Sequence, residues 1–228
     1  MERDVRGLWA IQSLTWIGQL GQLHEPIERS IRSMYEDRES ITYDEAYPYD
    51  SDFGDEQERI EDLLGVAFVA AQVYLTTVRT SMLRRSEILQ KRKGSPLSFI
   101  TDPKAYDIFN CDNPTEPKSQ QSYVRVVNAV ANYWKHHDEW PERVDQARSI
   151  EFGETPVPRW DTSKVNKGEQ KTIELVTAIG MWPNRSINMQ VAADALGIAE
   201  LWDLSPLRKN LDDWARCLLK RAHEELRT

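Results

Sequence analysis

The residues best suited to chemistry gather between Ser119 and Pro141, in SQQSYVRVVNAVANYWKHHDEWP. Arg125, Asn128, Asn132 and His136 follow one another at steps of three, four and four. Helix residues three and four apart are neighbours, so these side chains share one face of a helix. An imidazole titrates at about 6.5, which suits proton transfer near neutrality. A guanidinium offers a rigid fork to phosphate oxygens. Asn132 and His136 are one turn apart and can touch. Arg125 and His136 are eleven residues apart, about 16 Å at roughly 1.5 Å per residue. One straight helix therefore cannot bring that arginine to that histidine. His137 follows directly, but adjacent helical side chains diverge by about 100°. Neither this pair nor any other Cys/His spacing forms a metal set, and no cofactor is expected. The same end also suits structure, because Lys135 and the histidines favour a helix C-terminus and Asp138 or Glu139 can accept from either ring.

The element that must carry these groups is a helix over 119–140. Tyr123, Val126, Val127, Val130, Tyr133 and Trp134 give it one broad apolar stripe. Pro141 ends it, since the residue before a proline is pushed out of the α region. The clearest other helix is 56–93, where Ile60, Leu63, Leu64, Ala67, Ala71, Tyr74, Leu75, Val78 and Met82 form a continuous stripe. Phe68 and Val69 broaden that stripe, and Gly94-Ser95-Pro96 stops it. These two long helices are expected to pack together at the centre of an all-α bundle.

Around them the spacing predicts a helix over 2–38, broken or kinked near His24 and Glu25 by Pro26. His24 is lone and reads as a packed or capping histidine. Residues 39–55, with Asp, Ser, Pro, Gly and three tyrosines, read as a loop. Residues 94–118 hold four prolines and read as a crossover with a short helix at 105–109. Pro141 at a first helical position predicts a short helix over 141–149, followed by a connector over 150–163. Helices follow at 164–182, at 187–196 (capped by Ser186 and ended by Gly197) and at 206–227. Residues 164–228 are expected to pack as additional helices on a bundle formed by 1–163.

Asn132-Tyr-Trp-Lys-His136, followed by His137, resembles the signature of the HEPN superfamily. That superfamily comprises compact helical bundles, many of them metal-independent ribonucleases of toxin–antitoxin, CRISPR and phage-defence systems. Its active form carries an Arg, a polar residue and then a His on one helix. Asn132 matches the polar residue and His136 or His137 the His, while Ala131 stands where the Arg belongs. The match covers about seven residues of 228. The resemblance implies a degenerate or weak ribonuclease, or an RNA-binding component of such a system. In an active member a ribose 2′-OH attacks the adjacent phosphate, histidine moves the protons and arginine stabilises the phosphoryl charge. Here the arginine must come from Arg79, Arg84 or Arg85 of the preceding helix. Otherwise it must be Arg125 of a second chain, in a homodimer paired antiparallel through 119–140.

The charge balance limits the partners. Twelve Asp and Glu between Glu36 and Asp62 stand against Arg38 and Arg59, while the chain as a whole is −8. A bulk basic surface for nucleic acid is therefore excluded, and an RNA footprint must be local. Arg84, Arg85, Lys91 and Arg92, with Lys135, are the candidates, although cations at a helix C-terminus also complement its dipole. The acidic tyrosine loop 39–55 could cover a basic protein surface, as an antitoxin does, and this gives a non-enzymatic alternative. A helix-turn-helix over 190–198 is a third alternative, opposed by Asp203 at a core position and by Pro206 in the second helix. The longest apolar run, Leu63 to Leu75, is too short to span a bilayer. MERDVRGLW lacks the form of a signal peptide. Cys111 and Cys217 fit reduced thiols in a cytosolic protein.

Overall fold

Two long helices, α1 (Glu2–Ser40) and α2 (Ser51–Lys93), form the frame of the computed structural model. The structure describes residues 2–40, 51–94, 96–98, 100, 108–109, 115–117, 119–136, 139, 144–152, 155–161, 163, 165–182 and 186–227. After α2 come α3 (Tyr123–Lys135), the strands β1 (Val144–Phe152) and β2 (Thr155–Trp160), then α4 (Lys167–Ala178), α5 (Asn188–Ala195) and α6 (Ser205–Arg227). The architecture is an all-α bundle that carries one β-hairpin.

Helix α2 is the hub. It packs against α1, α3, α5 and α6, while α4 lies on the far side of α3. The apolar stripe read from the sequence is the reason. Leu64, Ala67, Phe68, Ala71, Leu75, Val78 and Met82 are all buried. They meet Ile31 of α1, Val127 and Val130 of α3 and Trp214 of α6 in one continuous core. Ile173 and Val176 of α4 and Met189 of α5 belong to the same core, so the C-terminal helices close the bundle that the first three begin.

Several expectations need correction. Helix α2 begins at Ser51, so the loop expected over 39–55 ends earlier, and residues 41–50 lie outside the described residues. The central partner of α2 is short. Helix α3 has 13 residues, begins after its cap Ser122 and stops well before Pro141. Helix α1 runs through Pro26. A proline frees the carbonyl four residues back, here that of Gln22, and both residues are exposed, so water can satisfy it.

The short helix expected over 141–149 and the connector over 150–163 are replaced by the hairpin. Strands β1 and β2 pair antiparallel, with Ile150 opposite Val157 and Glu151 opposite Pro156, and the register shifts between Asp145 and Ser149. Pro156 and Pro158 made β2 look like a connector. In a two-stranded ribbon each strand is an edge, which is where a strand tolerates proline. Trp160 at the end of β2 meets Tyr133 of α3 edge-on, with ring centroids 6.1 Å apart. The short helix expected at 105–109 lies mostly outside the described residues, with Ile108 and Phe109 in a 3₁₀ turn.

The end of α5 matches its expectation and the cap at its start does not. Gly197, at φ +74°, terminates α5, and Ile198 N–H returns to the Ala193 carbonyl at 2.9 Å. The α5 cap position is Ile187, whose side chain makes no cap bond. Ser186 is thus not the cap, and a distant residue supplies one, as described below. Nine residues separate α5 from α6, too many for the 3–4-residue turn of a helix-turn-helix. By length and composition alone, the segment Gly54–Lys91 is long and apolar enough to cross a membrane. This differs from the expectation drawn from Leu63 to Leu75, because the threonines beyond Leu75 extend the uncharged stretch.

Candidate functional site

Ser122 starts α3. Its hydroxyl oxygen accepts from Arg125 N–H and its O–H donates to the Phe109 carbonyl. From there the helix is buried over most of its surface, including Tyr123, Val124, Val126, Val127, Ala129, Val130, Ala131 and Tyr133. The polar stripe Arg125, Asn128, Asn132 is half-buried. It faces α2, where the amide of Gln72 donates to Asn128 Oδ1 at 2.9 Å and to Asn132 Oδ1 at 2.8 Å. The Asn128 carbonyl accepts from the same nitrogen at 3.3 Å. The two asparagines thus bind α3 to α2.

His136 is the last, half-in residue of the helix. Its φ of −115° has left the α region, and its N–H returns to the Tyr133 carbonyl at 3.2 Å. Its side chain is exposed, and Nδ1 lies 3.1 Å from Glu139 Oε1. Asn132 and His136 therefore have different partners, Gln72 and Glu139, and the helix ends between them. Ala131 is fully buried, so the position that would hold the arginine of the HEPN pattern points into the core. Arg125 sits in the first turn of α3, at the opposite end from His136. His137 lies outside the described residues.

The basic candidates divide in the same way. Arg84, Lys91 and Lys135 are exposed, and Arg92 belongs to α2. Arg85 is half-buried, donates to Ser81 Oγ at 3.2 Å, and has its guanidinium pKa pulled down to about 10 by burial. That arginine belongs to the bundle more than to its surface. Among the described residues, no three of His, Cys, Asp and Glu gather in a way that could hold a metal ion.

No protein-family model, curated protein or solved structure matches the chain.

The polar residues that hold the bundle together were legible only as interruptions of apolar stripes. Glu61 is buried on α2, and its two oxygens accept from Met189 N–H at 2.6 Å and Gln190 N–H at 2.9 Å. It is the cap that α5 lacks locally, and its negative charge lies at the positive end of the helix dipole. Glu28 reaches the start of α6, with Oε1 accepting from the N–H of Leu204, the residue before the helix, at 2.7 Å and pairing with Arg208 at 2.9 Å, while the local Asp203 accepts from Ser205 N–H at 2.9 Å. Asn188 clasps Trp182 through both backbone groups and donates to the Tyr133 hydroxyl at 2.9 Å. Burial pushes the Tyr133 phenol up to about 12. Gly65 of α2 lies directly under the Trp134 ring of α3. A Cβ there would lie 2.1 Å from the Trp134 ring.

His24 is buried, as a packed histidine should be, with Nε2 3.1 Å from the Ala67 carbonyl of α2. A carbonyl only accepts, so this nitrogen carries the proton. Burial lowers the imidazole pKa to about 4, against the raising effect of that bond. The ring is a neutral tie between α1 and α2.

The outward side of α2 is its least expected feature. Leu63, Val66, Val69, Val73, Thr76, Thr80 and Leu83 are all exposed or half-exposed. Val66 is 53% exposed and Val73 60%. From Leu63 to Leu83 this helix carries one ionic side chain, Arg79. The core explains one side of α2; Leu63, Val69 and Leu83 at the flanks of the other side pack partly against that core, and Val66 and Val73 between them stay largely exposed.

Proposed function

We propose that the chain is a non-enzymatic protein-interaction module that works through a helix surface. One observation carries this reading, the uncharged outward stripe of α2. A solvated helix face is ordinarily polar, and contiguous exposed apolar surface marks an interaction site. The groups on α3 that could do chemistry support the same reading, because Asn128 and Asn132 are held by Gln72 and Ala131 is buried.

A second reading is the one the resemblance implies, a weak metal-independent ribonuclease of HEPN type. It keeps one favourable feature. His136 is half-exposed beside Glu139, and a carboxylate that orients an imidazole is a usable acid–base pair. The feature it lacks is an arginine beside that ring. Losing one oriented charge donor costs about 10²–10³ in rate where charge develops.

An RNA-cleavage assay in chelator separates the two readings. The wild type, His136→Ala and Arg125→Ala should all cleave no faster than buffer alone. Robust cleavage that His136→Ala abolishes would overturn the non-enzymatic reading.

A further inference from the structure

We infer that the outward stripe of α2 docks against the same stripe of a second copy of this chain, antiparallel, about a two-fold axis at Val73. The inference rests on the interaction-module reading and names its partner.

Residues 66, 69, 73, 76, 80 and 83 alternate at steps of three and four, the 3.5-residue spacing of a coiled-coil seam. They read Val, Val, Val, Thr, Thr, Leu, and each is exposed or half-exposed. The stretch from 63 to 83 is about 30 Å long at roughly 1.5 Å per residue. That is long enough for two helices to lie along each other for several turns.

The charges at its two ends name the partner. A two-fold axis at Val73 places residues equally far before and after it opposite each other across an antiparallel pair, so Val66 meets Thr80, Val69 meets Thr77 and Thr76 meets Ala70. Asp62 and Arg84 are each eleven residues from Val73, Arg59 and Glu87 fourteen, and Asp55 and Lys91 eighteen. Each of these pairs joins opposite charges. Leu63 and Leu83, ten residues out on either side, face each other inside the charged ends. Symmetry makes every pairing twice, so the axis yields six opposite-charge pairings among these residues. A parallel pairing would set acidic end on acidic end and basic end on basic end. All six charged residues are exposed. Among the described residues, none of them is ion-paired within its own chain. They are therefore available to a partner and set the register of its approach.

An anionic lipid surface could also take an apolar helix face, but the acidic half of α2, with Asp55, Glu58 and Asp62 exposed, would be repelled by it. The other candidate for a dimer interface, α3, is buried over most of its surface within its own chain.

Sedimentation velocity over a range of concentrations tests the inference. The wild type should sediment as a dimer that weakens as salt is raised. Val73→Asp sets two carboxylates face to face at the axis. It should give a monomer with unchanged helical circular dichroism, because Val73 touches nothing in the core. Asp62→Arg should weaken the dimer by about tenfold or more, by opposing the introduced guanidinium to Arg84 twice. The charge-swapped double variant Asp62→Arg with Arg84→Asp should restore it. A wild type that stays monomeric at every concentration overturns the inference, as does a double variant no tighter than the single one. Flotation of a monomeric wild type with phosphatidylcholine–phosphatidylglycerol vesicles, abolished by Val73→Asp, overturns it in favour of a lipid partner. Each of these failures leaves the non-enzymatic part of that reading standing, because only the cleavage assay tests it.

Discussion

Glu61, Gly65 and Gln72 turn into the bundle, while Asp62, Val66 and Val73, each one residue further on, turn out of it. One residue is a rotation of about 100° on a helix, and across that step the demands on a side chain change completely. Glu61 completes another helix, Gly65 gives up its side chain so that Trp134 can approach, and Gln72 holds two asparagines. Their neighbours make no contact that this chain needs in order to fold. Inside, residue identity is fixed by a single partner's geometry. Outside, the pattern is periodic along the helix.

Substitution in adjacent pairs should break this comparison or sharpen it. The largest contrast is at Gly65 and Val66. Gly65→Ala drives a methyl group into the indole and should cost about 3 kcal/mol in urea unfolding. Val66→Ala should stay within about 0.5 kcal/mol in a monomeric background. Adding Trp134→Ala to Gly65→Ala should cost less than the two single losses combined, since the first removes what the second strikes. Simple additivity would mean that the close approach of α2 and α3 does not govern this site.

Acidification probes the inner side from α1. His24 titrates near 4 when folded, against an ordinary 6.5, so the unfolded chain binds the extra proton between those values. Stability from this group is complete above about 6.5 and is lost as pH falls toward 4, by roughly 3 kcal/mol at most. Chemical denaturation at a series of pH values should show that slope, and His24→Gln should flatten it. An unchanged slope in the variant would assign the acid sensitivity elsewhere.

The smaller contrasts are polar. Glu61→Gln should cost about 2 kcal/mol, because buried N–H groups at the start of α5 lose their charged acceptor. Asp62→Asn should leave monomer stability within about 0.5 kcal/mol. Gln72→Leu should cost about 1 kcal/mol, since water can partly replace it at half-buried asparagines. Equal effects of Glu61→Gln and Asp62→Asn, measured by thermal unfolding, would erase the distinction between the two sides.

How much of this was legible follows the same division. The stripes of α2 and α6 and the stop at Gly197 are local patterns, so residue spacing alone revealed them. The shared face of Asn128 and Asn132 was legible too, but not its partner, which lies about sixty residues earlier in the chain. Gln72 was visible as a polar residue in an apolar run, and nothing nearby says what it meets. Glu61 sits among acidic residues that suit a helix start, which hides the one that is buried. The hairpin was missed because Pro156 and Pro158 signal a connector, and because 144–152 lacks a clean alternation. The α3 terminus was misplaced because Pro141 offered an obvious stop, while the helix had already ended at Lys135.

The borrowed cap of α5 and the distant tie at the start of α6 bear on the order in which the molecule assembles. An eight-residue helix with no local cap is too short to persist alone in water. Its first turn is completed only when Glu61, 128 residues away, arrives, and α6 draws on Glu28 across 176 residues. Such contacts close long stretches of chain before they return any stability, which slows folding. During synthesis α1 and α2 emerge first, and their acceptors wait for the last quarter of the chain. The C-terminal helices should therefore gain hydrogen-exchange protection together with the closure of the bundle, and none of it beforehand.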